Sequence, residues 1–253
     1  MPIVALFTEV PLREVPGLLQ DPAVRDTLAV TLRTNAIANA VILAIGTPAA
    51  YLLGTRRFRG RALLITMVEL PLVLPPAVAG IGLLAAFGAG GLFGNNLAQA
   101  GIVLPFTEWA VVLAVVFVAS PFYLRQAIAA FETVDPTLTD AARTLGASPL
   151  RTFGRIALPL AAGGLAAGWV LAFARGIGEF GATIIFAGNV QGETSTLTLA
   201  VYQQLEVDLD VALALSVVLV ALSAGILLSY KLLGTWRPST SRSSPGFAPS
   251  RSS

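Results

Sequence analysis

The stretch DPTLTDAARTLGASPLRTFGRIALP, residues Asp135–Pro159, has the pattern of two short helices joined by an elbow. Asp135 is a favourable N-cap residue, and Pro136 suits the first helical position because a proline there lacks only an N–H group that would have no partner. Gly146 stands where a left-handed residue commonly ends a helix. These residues predict a first helix that starts at Pro136 and ends just before Gly146.

A second cap-and-proline pair, Ser148 and Pro149, predicts a second helix that runs toward a membrane span at Pro159. On the first helix, apolar residues recur at the spacing of a single helix face. They are Leu138, Ala141, Ala142 and Leu145. A helix outside the bilayer that carries an apolar face flattened by alanines predicts a docking surface for another protein. Arg143 would face away from this surface or contact the partner's rim.

The whole stretch resembles the cytoplasmic loop motif of ABC importer permeases. That motif reads Glu-Ala-Ala, three residues, Gly, nine residues, Ile, one residue and Leu-Pro, and the chain keeps all of these spacings. The matching residues are Asp140, Ala141, Ala142, Gly146, Ile156, Leu158 and Pro159. Asp140 replaces the usual Glu, which keeps the charge and shortens the reach. The resemblance implies that the first helix seats in a groove of an ATP-binding subunit and that these residues, with Leu138 and Leu145, form the coupling site.

The composition is that of a polytopic membrane protein. Of the 253 residues, 55% are hydrophobic and 12% are charged, whereas a soluble domain carries roughly a quarter charged residues. The mean hydropathy is +0.79. We therefore predict an all-α bundle of membrane helices, buried in lipid and in its own helix contacts.

The chain lacks the residues for several kinds of chemistry. It contains no Cys and no His, which excludes disulfides, thiol chemistry, His metal sites and His-based acid–base catalysis. Lys231 is its one lysine and does not follow a glycine-rich loop, so the chain cannot hold a P-loop for ATP. We predict a transport subunit without an enzymatic site, metal or cofactor of its own. ATP and Mg²⁺ would then bind to a partner subunit.

The placement of basic residues predicts the topology. No Lys or Arg occurs in 62–124 or 176–230, whereas arginines cluster in 56–61 and 125–155. Basic loops stay on the cytoplasmic side of a membrane. The loop at 56–61, the Asp135–Pro159 stretch and the C-terminus are therefore predicted to be cytoplasmic, with the chain in the cell (plasma or inner) membrane. A nucleic-acid partner is not expected.

Five clear spans alternate with these loops, since a crossing helix needs about 20 residues. They are Leu28–Leu53, Ala62–Phe87, Trp109–Leu124 with an extension to Phe131, Leu158–Glu179 and Val211–Leu233. The second contains three prolines between 71 and 76, which should break the helix. It also contains Glu69, either a functional carboxylate or a bond to a neighbouring helix. In the fourth, Gly164 and Gly168 predict close helix packing.

The two ends of the chain carry separate predictions. The apolar Pro2–Thr8 is too short to span a membrane, so two readings stay open: the chain begins outside the membrane, or the segment is the remainder of a sixth, truncated N-terminal helix, which is the reading we favour. Glu9–Asp26 has the composition of an external loop with room for one surface helix. Residues 1–234 are predicted to form the transmembrane domain, with the coupling loop at 135–159. Residues 235–253, rich in Ser, Pro and Arg, are predicted to be a disordered cytoplasmic tail.

The segment Gly176–Tyr202 mixes apolar residues with Gly, Thr, Ser and Asn. It predicts a broken or re-entrant element along a transport pathway, because irregular backbone at membrane depth has to be buried or wet. Arg175 and Glu179 are four residues apart and could pair on a helix. The candidate pathway residues are Glu179, Thr183, Asn189, Thr194, Ser195 and Thr196. Hydroxyl and amide groups of this kind are also candidates for interhelical hydrogen bonds.

Most of the chain is also similar to the permease subunit of molybdate importers. The similar segments are LPLVLPP at 70–76, LPF at 104–106, GEFGAT at 178–183, AGN at 187–189, and 194–202. The resemblance implies a homodimer bound to two ABC ATP-binding subunits and an extracytoplasmic oxyanion-binding protein. ATP would drive import of the oxyanion by alternating access. Molybdate is the expected substrate, with sulfate and tungstate, whose permeases share much of the pattern, as alternatives.

A reading from a different class is an ATP-independent secondary transporter that uses Glu69 or Glu179 as a proton relay. This reading does not account for the spacing from Asp140 to Pro159, and no inverted repeat is evident in the sequence. A membrane scaffold or sensor without transport activity is disfavoured by the prolines and glycines inside the spans.

Overall fold

The structure, a computed structural model, describes residues 6–7 and 15–235. Every regular element within these ranges is helical, which agrees with the predicted all-α bundle. The helices are α1 (Val15–Leu18), α2 (Pro22–Thr55), α3 (Arg61–Val73), α4 (Pro76–Phe87), α5 (Gly94–Gln99), α6 (Glu108–Glu132), α7 (Pro136–Thr144), α8 (Pro149–Thr152), α9 (Leu158–Ile177), α10 (Gly181–Phe186), α11 (Leu197–Gln204) and α12 (Leu209–Thr235).

Four helices of the described residues are long and apolar enough to cross a membrane: α2, α6, Pro149–Ile177 and Leu209–Leu232. The predicted second span, Ala62–Phe87, is instead two helices, α3 and α4, which are bent by 117°. The break falls at Leu74 and Pro75, because Pro75 and Pro76 supply no N–H group to continue α3. The five predicted spans are thus matched only when this bent pair counts as one.

The first long helix begins earlier than predicted. The external loop was expected to extend to Asp26, but α2 starts at Pro22, and Asp21 Oδ1 accepts a hydrogen bond of 2.8 Å from Ala23 N. The same combination, an aspartate N-cap followed by a proline, starts the helix after Asp135. The predicted segment Pro2–Thr8, apart from residues 6 and 7, and the predicted tail beyond residue 235 lie outside the described residues.

Helix α6 is the centre of the bundle, with α2 and α9 packed along it and α3 beside it. Its buried face combines small, β-branched and aromatic side chains: Val111, Ala114, Val118, Tyr123, Ala127 and Phe131. The Tyr123 hydroxyl and Thr47 Oγ1 lie 2.5 Å apart, which joins α6 to α2. The core therefore lies between the long helices and holds them in register.

Small residues allow the backbones of the long helices to approach. A Cβ atom added to Gly164 of α9 would lie 2.5 Å from Ala130 Cβ, and one added to Gly168 would lie 2.9 Å from Gln126 Cβ. The predicted small-residue face of the fourth span is therefore confirmed as its contact with α6. On the α2 side of α6, a Cβ on Gly54 would lie 2.9 Å from the Ile128 carbonyl oxygen.

The chain after α9 is broken, as its composition predicts. It forms the short helix α10, an irregular stretch and then α11. Helix α10 packs closely on α4, since a Cβ on Gly181 would lie 2.8 Å from Pro76 Cβ and one on Gly80 would lie 2.9 Å from the Ala182 oxygen. The two interrupted parts of the chain, α3–α4 and α9–α10, therefore meet in one contact.

Candidate functional site

Helix α7 forms as the sequence predicts. It starts at Pro136, and Asp135 Oδ1 accepts a hydrogen bond of 2.9 Å from Thr137 N. It ends at Thr144, and Gly146 adopts a φ of +84°. Glycine adopts this left-handed conformation without steric strain because it has no Cβ atom. Both ends of the helix are thus set by local side-chain and backbone chemistry.

The apolar face of α7 has little to pack against within the described residues. None of its residues is buried. Leu138 is 48% exposed and Leu145 is 88% exposed, Ala141 is exposed and Ala142 is half-buried. Exposed leucines are typical of a protein interaction site, and here they lie on a short helix outside the bundle of long helices.

The second helix of the loop is not a separate element. Ser148 Oγ accepts a hydrogen bond of 3.3 Å from Arg151 N, which confirms the predicted cap. However, α8 continues through a π-helical turn, Phe153–Ala157, directly into α9. The predicted two-helix loop is therefore one free helix, α7, followed by the first turns of a long helix, Pro149–Ile177.

Pro159 explains the π-helical turn. Proline has no N–H group to donate to the carbonyl four residues before it, and its ring crowds that carbonyl. The helix widens instead, and the Leu158 N–H group donates to the Phe153 oxygen. The motif residues Ile156, half-buried, and Pro159, exposed, consequently lie at the base of α9 and not on α7.

A cavity of about 860 Å³ lies between α7, the end of α2 and the loop before α3. Its charged lining residues are Arg56, Arg57, Arg61, Glu132, Asp140 and Arg143. Arg143 therefore points to this cavity, with Nη1 3.9 Å from Asp140 Oδ1. This placement agrees with the prediction that Arg143 faces away from the apolar face.

The cap of α7 carries a testable pH dependence. The backbone N–H group of Thr137 holds the pKa of Asp135 below its usual value. An ionised cap therefore stabilises α7 above the ordinary carboxyl pKa, and this stabilisation is lost as the pH falls through the lowered pKa. We expect Asp135→Ala to raise amide exchange at residues 137–139 by roughly fivefold at neutral pH.

Asp135→Asn is the matched control for this prediction, because asparagine caps a helix about as well as aspartate. It should keep the exchange rates near those of the native chain and remove their acid dependence. Rates would be compared after correction for the intrinsic pH dependence of exchange. Equal exchange in Asp135→Ala and the native chain would contradict a capping role.

The predicted pair of Arg175 and Glu179 is confirmed, although the helix ends at Ile177 and not at Glu179 as predicted. Arg175 Nη2 lies 2.7 Å from Glu179 Oε2, and the Glu179 side chain is 1% exposed. Glu179 Oε1 accepts a hydrogen bond of 2.8 Å from Ala182 N at the start of α10. Thr198 Oγ1 donates to the Glu179 carbonyl oxygen at 2.7 Å. Glu179 thus ties the end of α9 to α10 and α11.

The other candidate pathway residues lie in the same irregular stretch. Thr183, Thr194, Ser195 and Thr196 are buried. Thr194 Oγ1 accepts a hydrogen bond from Val190 N, Thr196 Oγ1 lies 3.0 Å from Thr198 Oγ1, and Asn189 Nδ2 donates to Gln203 Oε1. Among the described atoms, Thr183 Oγ1 and Ser195 Oγ have no partner. All of these candidate residues lie in the segment between the end of α9 and the start of α11.

A polar face of α2 also belongs to this region; Asn35 and Asn39 mark it in the sequence as a polar face of the first span, whereas its threonines are recognised only in the structure. Its buried members are Thr27, Thr31, Thr34, Asn35 and Asn39. Thr31 Oγ1 accepts from Leu197 N at 2.8 Å, and Asn35 Nδ2 donates to the Phe173 oxygen at 3.1 Å. The spacing of three and four residues between these polar side chains was the available signal.

Glu69 forms an ion pair with a neighbouring helix. Glu69 Oε1 of α3 lies 3.2 Å from Arg125 Nε of α6. The side chains are 37% and 64% exposed, respectively. The predicted bond of Glu69 to a neighbouring helix is therefore present, and the exposure of both side chains leaves them accessible for a functional role as well.

A bundle of long apolar helices with a bent span, a broken span and a capped helix outside the bundle has the architecture of a membrane-spanning transport subunit. The family model described as a binding-protein-dependent transport system inner membrane component matches residues 46–236. The chain belongs to this family.

Curated relatives agree with this assignment. The chain is 42% identical over 228 residues to the molybdenum transport system permease protein ModB of Mycobacterium tuberculosis, which covers 90% of this chain and 86% of the relative. It is 43% identical over 186 residues to ModB of Escherichia coli K12, covering 73% and 81%. It is 34% identical over 215 residues to the sulfate transport system permease protein CysT of Salmonella typhimurium, covering 85% and 77%.

Solved structures share the fold. A bacterial ABC transporter involved in the import of the acidic polysaccharide alginate superposes with a TM-score of 0.75 at 18% identity, covering 92% of this chain and 88% of that one. The MetNI methionine ABC transporter gives a TM-score of 0.62 at 18% identity, covering 82% and 92%.

Family membership confirms the predicted class. The chain is a multi-pass inner-membrane permease component of an ABC importer and not its ATPase subunit. ATP accordingly binds to a partner, as the missing P-loop predicts, and the family depends on an external binding protein.

Proposed function

We propose that this chain is the permease subunit of an ATP-driven importer that moves molybdate across the cytoplasmic membrane. The observation that carries the class is α7, a helix capped at both ends whose leucines find no cover within the described residues. The substrate is inferred from the relatives of 42% and 43% identity that are named molybdenum permeases.

In this proposal two copies of the chain form a homodimer with the route along its two-fold axis. Each copy crosses the membrane five times, with the bent pair α3–α4 as the second crossing. The basic loop before α3, helix α7 and the C-terminus lie in the cytoplasm, which follows from the arginine pattern. This orientation places α7 in the compartment that contains ATP.

Helix α7 would seat in a groove of the ATPase through Leu138, Ala141, Ala142 and Leu145. Closure of the ATPase dimer would move both seated helices, and the motion would pass along Pro149–Ile177, which begins four residues after Leu145 and continues as one helix to Ile177. The long helices would then rock between inward-facing and outward-facing states.

The broken segment after α9 would line the route. Hydroxyl, amide and backbone N–H groups can pass an oxyanion without holding it tightly. The candidates remain Glu179, Thr183, Asn189, Thr194, Ser195 and Thr196. Among them, Thr183 and Ser195 have hydroxyl groups without partners among the described atoms, which supports a role in contacting a passing ligand.

The test is uptake of labelled molybdate into proteoliposomes that contain this chain and its ATPase, with the binding protein outside. We expect uptake that requires ATP inside the vesicles and continues when the proton gradient is collapsed. Uptake that needs the gradient and no ATP would overturn the proposal in favour of a secondary transporter.

The sulfate permease relative at 34% identity supports sulfate as a second candidate substrate. In the same vesicles, an excess of unlabelled sulfate should leave molybdate uptake within about twofold of its starting rate, whereas unlabelled molybdate should abolish the signal. Efficient ATP-dependent sulfate uptake with little molybdate uptake would reverse the order of the two substrates.

A further inference from the structure

Two ion pairs join the antiparallel helices α3 and α6, one further along the helices than the other. Arg61 pairs with Glu132 at the ends of the helices, and Glu69 pairs with Arg125 further in. Glu69 is eight residues beyond Arg61, and Arg125 is seven residues before Glu132. At a rise of about 1.5 Å per residue, the second ion pair lies roughly 11 Å along the helices from the first.

The inner ion pair, Glu69 with Arg125, lies beside open space. Arg125 lines a groove of about 400 Å³ to which α3, α6 and α9 contribute residues. The other lining residues are Leu72, Phe122, Gln126, Ala129 and Leu171. Charged residues at membrane depth mark ion pathways, and Arg125, one residue beyond the predicted third span, pairs with Glu69 inside the predicted second span.

The guanidinium group of Arg125 has binding capacity left. Arginine carries five N–H donors, and the contact of Arg125 with Glu69 is made through Nε, at 3.2 Å from Glu69 Oε1. Its two terminal nitrogens form the fork that binds oxyanions with two parallel hydrogen bonds. The free side of the fork therefore matches the chemistry of a tetrahedral oxyanion.

The pair of Arg175 and Glu179 shows what a structural ion pair looks like in the same protein. Its contact is 2.7 Å, its carboxylate is 1% exposed, and that carboxylate also accepts a backbone hydrogen bond. The pair of Glu69 and Arg125 has none of these features: the contact is longer and both side chains are more than a third exposed.

We propose that Arg125 is the inner contact point of the transported oxyanion and that Glu69 competes with the anion for its guanidinium group. This inference rests on the proposed function. An unpaired arginine would hold a divalent oxyanion strongly, whereas conduction requires binding weak enough to permit release. Glu69 supplies the competing negative charge, so that the anion is bound briefly and then replaced.

The test uses the complete importer in proteoliposomes, with molybdate uptake and ATP hydrolysis both measured per assembled complex. The double variant Glu69→Gln, Arg125→Gln removes both charges, so no unpaired charge remains at this position. We expect molybdate uptake to fall about tenfold or more while ATP hydrolysis continues. Glu69→Gln alone should slow uptake and hydrolysis together, because the unopposed arginine retains the anion.

The matched control is Arg33→Gln with Glu108→Gln. That pair also joins α6 to a neighbouring helix and is similarly exposed, at 57% and 31%, but it does not line the groove. Its loss should leave uptake within about twofold of the native rate. If the double-neutral variant at 69 and 125 matched this control, the inner pair would only join two helices and the inference would be overturned.

Arg125→Lys keeps the inference testable if the double variant does not assemble. Lysine retains the charge but lacks the planar fork, so uptake should fall several-fold with assembly intact. Native uptake in Arg125→Lys would contradict recognition by the fork. If the native complex took up no molybdate at all, the proposed function would be refuted. This outcome is distinct from failure of the inference on Arg125, which requires native uptake and an unaffected variant.

Discussion

Replacement of Ala141 and Ala142 by phenylalanine together is expected to abolish assembly of this chain with its ATPase. Both alanines lie on the face of α7 that contains Leu138 and Leu145, and no residue of α7 is buried in the chain itself. Two aromatic rings on this face would prevent the close approach of a groove. We expect affinity for the ATPase to fall at least about 30-fold, as at interface hot spots.

The measurement is co-purification of the tagged ATPase with the permease in detergent, followed by titration of the purified parts. Arg143→Phe is the matched control, because it adds the same ring to the same helix on the side that faces the cavity. It should leave binding within about threefold of the native value. Unchanged binding by the doubly substituted chain would show that α7 docks through another face or not at all.

Local chemistry made α7 predictable from sequence. Its start is encoded by Asp135 and Pro136, its end by Gly146, and its exposed face by the spacing of four side chains. None of these signals needs information from distant parts of the chain. The same device at Asp21 and Pro22 starts α2, but the polar surroundings of that pair were interpreted as an external loop, so the boundary was misplaced by five residues.

The bent span shows where sequence patterns lose information. The prolines of 71–76 predict a break, but the angle of 117° depends on what α4 packs against after the break. That partner is α10, which approaches through Gly181 and Gly80, and the two segments are about 100 residues apart in the chain. A hydropathy pattern records length and polarity along the chain, whereas the direction of a helix is set by such distant contacts.

The extent of the coupling loop illustrates the same limit. A cap and a proline at Ser148 and Pro149 predict that a helix starts there, and this is confirmed. They do not predict whether that helix ends before the next span. The π-helical turn before Pro159 carries the helix into α9, so the motif residues Ile156 and Pro159 are at the base of a long helix.

Gly164→Leu is expected to disrupt the bundle, whereas Gly163→Leu is expected to be tolerated. A Cβ on Gly164 would lie 2.5 Å from Ala130 Cβ on α6, whereas a Cβ on Gly163 would meet nothing within 4 Å. Real Cβ atoms do not approach as closely as 2.5 Å, so α9 would have to move away from α6. Overpacking of this kind costs typically 1–3 kcal/mol at one site, and it falls on the central helix contact.

The pair of variants differs by one position and has identical composition, so lipid partitioning and helix propensity are matched. We expect Gly164→Leu to lower the thermal unfolding midpoint in detergent by several degrees and to reduce the yield of monodisperse protein. Gly163→Leu should behave like the native chain in both measurements. Equal behaviour of the two variants would mean that α9 does not pack on α6 through its glycine face. Helices in a membrane lack a hydrophobic force between them and depend on such close contacts, so this result would remove the physical basis of the bundle described above.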